Sequence, residues 1–268
     1  MSIKSIVTLF AKPKVQIIGF LTVLWAFGVY TQSGADALSA SLQVLLAVAI
    51  AVFAQWAFWD KKSKISPQSA IITGLLIGML IAPGTDFKIL WLTAVTAIAS
   101  KFLFKLPSGK HIFNPAAAGI IVATVFLGNK VNWWGFSNPY LVIIIGGMIL
   151  YRLKRLSMVF SYLIFRALSA YIVDGNISSV QTLLLPNLFF AFIMLVEPKT
   201  SPGSRSIQWI FGGMCGALSS LSFMLIPNVD GDLAALLVVN LIRPVLEKLR
   251  NNNFQNNNSL SQASLMGK

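Results

Sequence analysis

Apolar runs separated by short polar breaks fill the chain from residue 15 to residue 249. Ten such segments can be marked, at about 15–30, 38–59, 67–82, 88–104, 113–128, 138–151, 156–173, 180–196, 206–226 and 232–249. A helix that crosses a bilayer needs about 20 apolar residues, range ~17–25. Several segments fall short of that length, and segments three and eight, at roughly 16–17 residues, also end at a proline. The pattern predicts an all-α integral membrane protein with ten transmembrane helices.

The polar breaks carry a charge asymmetry that orients the segments. Lys and Arg accumulate on the cytoplasmic side of membrane proteins. The N-terminal stretch holds Lys4, Lys12 and Lys14, and alternate breaks hold Lys61, Lys62 and Lys64, then Lys101, Lys105 and Lys110. The same alternation continues with Arg152, Lys154 and Arg155, then Lys199 and Arg205, and closes on Arg243, Lys248, Arg250 and Lys268. Lys88 and Lys130 alone fall in the other breaks, and Arg166 lies inside segment seven. Five of the eight acids, Asp36, Asp86, Asp174, Asp230 and Asp232, lie on the side the cations avoid. Ten spans with both termini cytoplasmic satisfy every break.

A short internal echo then gains meaning. Met79–Thr85 reads MLIAPGT and Met194–Thr200 reads MLVEPKT, with Pro83 and Pro198 standing 115 residues apart. Each copy closes the third of five segments in its half, one on the outer side and one on the inner. A five-span unit used twice is necessarily inverted. Short, broken segments at matching positions of inverted repeats mark the midplane site of transporters and channels. The expected organisation is a cytoplasmic lead at 1–14, a membrane domain at 15–250 (repeat one about 15–128, repeat two about 138–250) and a disordered Asn-rich cytoplasmic tail at 251–268.

Composition agrees. The 268 residues are 56% hydrophobic and only 11% charged, against about 25% charged in a soluble domain. The net charge of +13 is spread over short loops, with no basic arm or clustered helix, which argues against nucleic acid as a partner. Membrane lipid is the expected surroundings. The single Cys215 excludes an intrachain disulfide, and with the single His111 it makes no metal site. No P-loop, GxGxxG, HExxH or nucleophile motif is present.

Several residues stand out as chemistry. Glu197 sits where segment eight stops before Pro198, either as an interfacial charge paired with Lys199 or Arg205 or as part of an ion path or cofactor contact. Arg166 either pairs with a neighbouring helix or anchors an anion. Lys110 and His111 precede Asn114-Pro115, a helix start in which Asn114 caps and Pro115 fits the first turn. Ser66 before Pro67, and Thr200 and Ser201 before Pro202, are further helix-start hydroxyls. Trp133, Trp134 and Trp209 read as belt aromatics. Gly212, Gly213 and Gly216, with Gly146 and Gly147, predict close helix packing.

The stretches Gly109–Gly119 (GKHIFNPAAAG), Phe189–Arg205 (FFAFIMLVEPKTSPGSR) and Ser66–Gly84 (SPQSAIITGLLIGMLIAPG) resemble one family. It is the membrane component shared by two redox-driven pumps, NqrB in the sodium-translocating NADH:quinone reductase and RnfD in the Rnf ferredoxin:NAD complex. The resemblance covers roughly residues 60–250. It implies two inverted five-helix repeats in a urea-transporter-like fold, other integral membrane redox proteins as partners, and a prokaryotic-type inner membrane. It also implies cofactor-binding roles for Lys110, His111, Asn114, Glu197, Thr200 and Ser201. Family members attach FMN covalently to the Thr of an SGAT motif between helices five and six. Here that loop reads GNKVNWWGFSN (Gly128–Asn138) and has no Thr, so no covalent FMN is expected. A flavin, riboflavin or FMN, would be non-covalent, with no metal cluster from this chain. The resemblance implies electron transfer coupled to Na+ or H+ translocation. The alternative is a stand-alone channel or transporter that keeps the fold without a redox role.

Overall fold

The computed structural model describes residues 12–58, 66–175 and 188–266, apart from positions 33, 107, 137 and 227. The lead up to residue 11, the break with Lys61, Lys62 and Lys64, and the first part of segment eight lie outside the described residues.

Four helices open on a proline at or beside their first position, where the missing N–H costs nothing. They are α1 (Pro13–Thr31), α3 (Pro67–Leu80), α5 (Pro115–Leu127) and α6 (Pro139–Leu153). The others are α2 (Ala35–Ala57), α4 (Phe87–Leu103), α7 (Leu156–Asp174), the π-helical α8 (Phe190–Met194), α9 (Arg205–Leu225) and α10 (Gly231–Met266). Asp86, Asn114 and Asn138 cap α4, α5 and α6, their side chains accepting from the N–H of Lys88, Ala117 and Leu141. The described residues are all-helical, with isolated bridges at Ile81–Val131 and Lys105–His111.

Three helices, Pro13–Thr31, Asp36–Ala57 and Leu156–Val173, are long and apolar enough to cross a membrane. Three more apolar helices, Pro67–Leu80, Pro115–Leu127 and Pro139–Leu153, are shorter. The last helix differs from expectation. α10 runs on to Met266, so residues 251–266, read as a disordered tail, are helical. After Pro244 no glycine or proline interrupts the chain until Gly267, and a helix already nucleated extends one bond per residue.

Close approach holds the bundle together. A Cβ on Gly74 of α3 would stand 2.5 Å from the Val48 Cα of α2, and one on Gly212 of α9 would stand 2.2 Å from the Met158 carbonyl oxygen of α7. Small residues let helix backbones meet where no side chain fits.

The polar contacts gather at two ends of the bundle. At one end the starts of α1, α3, α5 and α7 meet the ends of α4, α8 and the middle of α10. At the other, the end of α3 meets the 128–138 connection and the start of α10. There Trp134 Nε1 donates to the carbonyls of Gly78 and Ile81 at 3.0 and 2.9 Å, and Gln43 Nε2 donates to the same two at 3.3 and 2.9 Å. The N–H groups of Asn132 and Gly135 cover Leu80 and Met79. A helix that stops early leaves carbonyls that need partners, and this connection supplies them. Trp133 donates to Asp230 at 3.0 Å. Trp133 and Trp134 are therefore not belt aromatics: their indole N–H groups are spent on a helix end and its neighbour. Trp209 is exposed, as a belt residue is.

Arg166 pairs with Asp232 of α10 at 3.4 Å, both buried, while Tyr162 donates to Asp232 at 2.8 Å and Ser220 takes a hydrogen bond from the guanidinium. Its role is to pair with a neighbouring helix. It is also not alone: Lys101 in α4 and Arg243 in α10 are fully buried charges, although charge alternation reads both as loop residues.

Candidate functional site

The site forms where the start of α5 meets the end of α8. Pro198 blocks continuation of α8, so the chain turns through 197–204 before α9. Asn114 is the hub. Its Oδ1 caps α5 by accepting from Ala117 N–H at 3.1 Å. Its Nδ2 donates to the Met194 carbonyl at 3.2 Å and to Glu197 Oε2 at 3.1 Å. Its own N–H donates to Asn240 Oδ1 at 2.8 Å. Asn240 Nδ2 in turn donates to the Thr200 carbonyl at 3.1 Å.

The turn is closed from within. Thr200 Oγ1 donates to Glu197 Oε2 at 3.1 Å, and Ser201 Oγ donates to the Glu197 carbonyl at 2.6 Å. Thr200 and Ser201 are fully buried. Arg155, at the start of α7, donates to Ser201 Oγ and to the Pro202 carbonyl. Arg243 donates to the Lys199 carbonyl at 2.7 Å and to the His111 carbonyl at 3.1 Å. The turn is thus held both by its own bonds and by Asn114, Arg155, Asn240 and Arg243 from elements distant in sequence, a network that makes its geometry rigid.

Glu197 pairs with neither Lys199 nor Arg205. Its carboxylate is held by the neutral donors Asn114 and Thr200. Burial pushes its carboxyl upward, opposed by the nearby Lys101 ammonium. Lys101 donates to the Ser69 carbonyl and hydroxyl at 2.9 and 3.2 Å, so it faces Glu197 without a direct contact.

A cavity of about 130 Å³ lies beside this turn, between α1, α3, α5, α6 and α8. At about 30 Å³ per water in the liquid, it has room for about four. Its polar wall includes Ser69, Thr73, Asn114 and Glu197, and Lys14 and Lys199 also border it. Its apolar wall includes Ile17, Phe20, Ile72, Leu76 and Phe192. Two π-helical turns, Val142–Gly146 and Phe190–Met194, contribute Gly146 and Phe192 to it. Such turns frequently occur at functional sites.

The six residues expected to bind a cofactor divide. Asn114, Glu197, Thr200 and Ser201 come together. Lys110 stands apart, 3.5 Å from Glu247. His111 is buried with neither ring nitrogen hydrogen-bonded, and burial, then the nearby Lys199 and Lys101, hold its pKa down to about 3. Of the six, Asn114 and Glu197 border the cavity. Asn114 and Thr200 both donate to Glu197 Oε2, and Ser201 donates to the Glu197 carbonyl. Ser66 does not cap α3; its hydroxyl accepts from Lys14 Nζ at 3.0 Å.

Sequence reasoning missed Lys101, Arg155, Asn240 and Arg243. A usable signal was the placement of Asn240 and Arg243 three residues apart within apolar segment ten, one helical face.

Residues 124–255 match the family described as NQR2, RnfD, RnfE family. That span runs from the last turn of α5 into α10 and contains Glu197, Thr200, Ser201, Asn240 and Arg243. No curated protein matches the chain.

Proposed function

Through residues 124–255 the chain belongs to the NQR2, RnfD, RnfE family, and on that premise we propose that this multi-pass membrane protein supports electron transfer coupled to Na+ or H+ movement as one component of a redox complex. In this reading ten spans form two inverted five-helix halves, with both termini cytoplasmic and the Glu197 turn facing the cytoplasm. Three features support the arrangement: the alternation of basic breaks, the paired helix ends at Leu80 and Met194, and side-chain donors from elsewhere that cover each end.

The observation that carries the reading is Glu197, an acid held at a broken helix end beside a cavity between the two halves. An ionisable group so placed marks an ion path. Asn114 and Thr200 fix the carboxylate by one oxygen, Oε2. Lys101 opposes it from α4 and sets the local charge balance. A flavin is not assigned to these residues, and no step is routed through one. The test is cation uptake into membrane vesicles that contain the complex, driven by NADH or reduced ferredoxin. Redox-driven uptake that disappears when this chain is deleted, and returns with the wild-type gene, is the expected result. Unchanged uptake in the deletion overturns the reading.

A second reading, a stand-alone channel or transporter, is favoured by one observation: the 128–138 loop lacks the Thr for covalent FMN. Solute or ion flux in proteoliposomes with this protein alone, independent of redox state, would select it.

A further inference from the structure

Among the described residues, the cavity beside Glu197 carries a charge imbalance. Lys14 and Lys199 border it, and Lys101 Nζ binds Ser69 on its wall. Glu197 is the one acid among its lining residues. Three ammonium groups therefore face one carboxylate, a local excess of two positive charges. Lys14 and Lys199 are half-buried beside exposed Pro13 and Pro198, which places these two cations toward the mouth and Lys101 in the interior. Lys199 suffers from this placement: burial, then the neighbouring Lys14, lowers its proton affinity.

Beyond these lysines the wall is apolar, with Ile17 and Phe20 from α1, Ile72 and Leu76 from α3, and Phe192 from α8. The starts of α1, α3 and α5 also lie at this end, where their helix dipoles add positive potential. A cationic rim over an apolar hollow between membrane helices is complementary to an amphiphile with an anionic head.

We propose that this cavity binds an anionic phospholipid of the surrounding membrane, its phosphate between Lys14 and Lys199 and the upper part of one acyl chain against Ile17, Phe20, Ile72 and Leu76. The phosphodiester supplies one negative charge between Lys14 and Lys199, which halves the local excess, and it leaves Lys101 and Glu197 as a balanced pair inside. This inference rests on the cavity alone and not on a redox role. Coupling could fail to appear while the lipid binds, and the two results are read separately.

The experiment compares lipids on the purified full chain after detergent removal of native lipid. Phosphatidylglycerol and phosphatidylcholine of matched chains are added, and retained lipid is counted by native mass spectrometry alongside the unfolding temperature. The expected result is one phosphatidylglycerol per chain, held roughly tenfold or more tighter than phosphatidylcholine, with a raised unfolding temperature. Lys14→Gln with Lys199→Gln should abolish that preference, whereas Lys130→Gln, exposed at the opposite end, should not. Unfolding in phosphatidylcholine checks that the double variant is folded. Inorganic phosphate and FMN are run as separate arms. Equal retention of the two lipids, a preference that survives the double variant, or equal protection by inorganic phosphate or FMN alone overturns the proposal.

Discussion

Asn114 and Glu197 lie 83 residues apart and meet at 3.1 Å, amide to carboxylate. The same amide nitrogen reaches the Met194 carbonyl at 3.2 Å. One side chain therefore starts α5, ends α8 and holds the acid of the site.

Asn114→Ala should destabilise the protein markedly. The lost cap costs about 1 kcal/mol, and each buried acceptor left without a donor costs about 1–3 kcal/mol. Asn114→Asp separates the two roles. Aspartate caps as well as asparagine, but it has no N–H for Glu197 and sets a like charge beside it. Chemical unfolding in detergent should show both variants weakened. An Asn114→Asp variant as stable as wild type would mean the contact with Glu197 has no energetic weight.

Glu197→Gln should keep the fold and lose the coupled function. Glutamine retains an oxygen for Thr200 or Asn114, so stability should move by about 1 kcal/mol or less. Redox-driven cation uptake should fall about tenfold or more, the effect of a barrier raised by about 1.4 kcal/mol. Full uptake in a stably folded variant would leave Glu197 as a clasp for the turn and nothing else.

Trp134→Phe should cost about 1 kcal/mol, because Gln43 still donates to the Gly78 and Ile81 carbonyls. Gln43→Leu should be similarly mild on this account, apart from the lost contact with Thr85 N–H. The double variant leaves both carbonyls without a side-chain donor and should cost more than the two singles combined. Strict additivity in a double-mutant cycle would show that the two donors do not back each other up.

Stability should depend on pH through two groups with opposite signs. Asp230, just before α10, is raised from 3.8 to about 6, first by burial and then by Asp232. Its folded form binds the proton more tightly, so its contribution falls as pH rises from about 4 to about 6. His111 is lowered from 6.5 to about 3 by burial. Its unfolded form binds the proton more tightly, so its contribution grows as pH rises from about 3 to 6.5. Relative to wild type, unfolding midpoints measured from pH 4 to 7 should therefore gain with rising pH in Asp230→Asn and lose with rising pH in His111→Gln. A His111→Gln profile parallel to wild type would place the imidazole in water rather than in the interior.

Much of the fold is legible in the chain because membrane helices are written in composition. Apolar runs, the prolines at 13, 67, 115 and 139, and the Asn and Asp caps locate the described helices to within a few residues. The echo of MLIAPGT in MLVEPKT picks out two helix ends, at Leu80 and Met194. Asn114, Glu197, Thr200 and Ser201 were readable as helix-terminus chemistry, since such groups serve unpaired backbone wherever a helix stops.

The same local logic misplaced other residues. Trp133 and Trp134 carry a belt signature, and only the packing of the 128–138 connection against α3 turns their N–H groups inward. Lys101 and Arg243 look like loop cations because they lie near segment ends, yet both are buried against carbonyls of other elements. Lys110 and His111 adjoin Asn114 in sequence but do not line the cavity; Lys110 reaches Glu247 instead.

Hydropathy, charge alternation and terminus residues act within a few residues of themselves, so the sequence alone determined an all-helical membrane chain, its segment order and where helices break. Which break meets which is a long-range matter. Asn114 reaches Glu197, Asn240 clasps Thr200 and Lys14 shares a cavity with Lys199 only after the helices pack. The partners of a buried polar group are chosen by whatever lies within about 3 Å of it, and that distance is set by the tertiary structure.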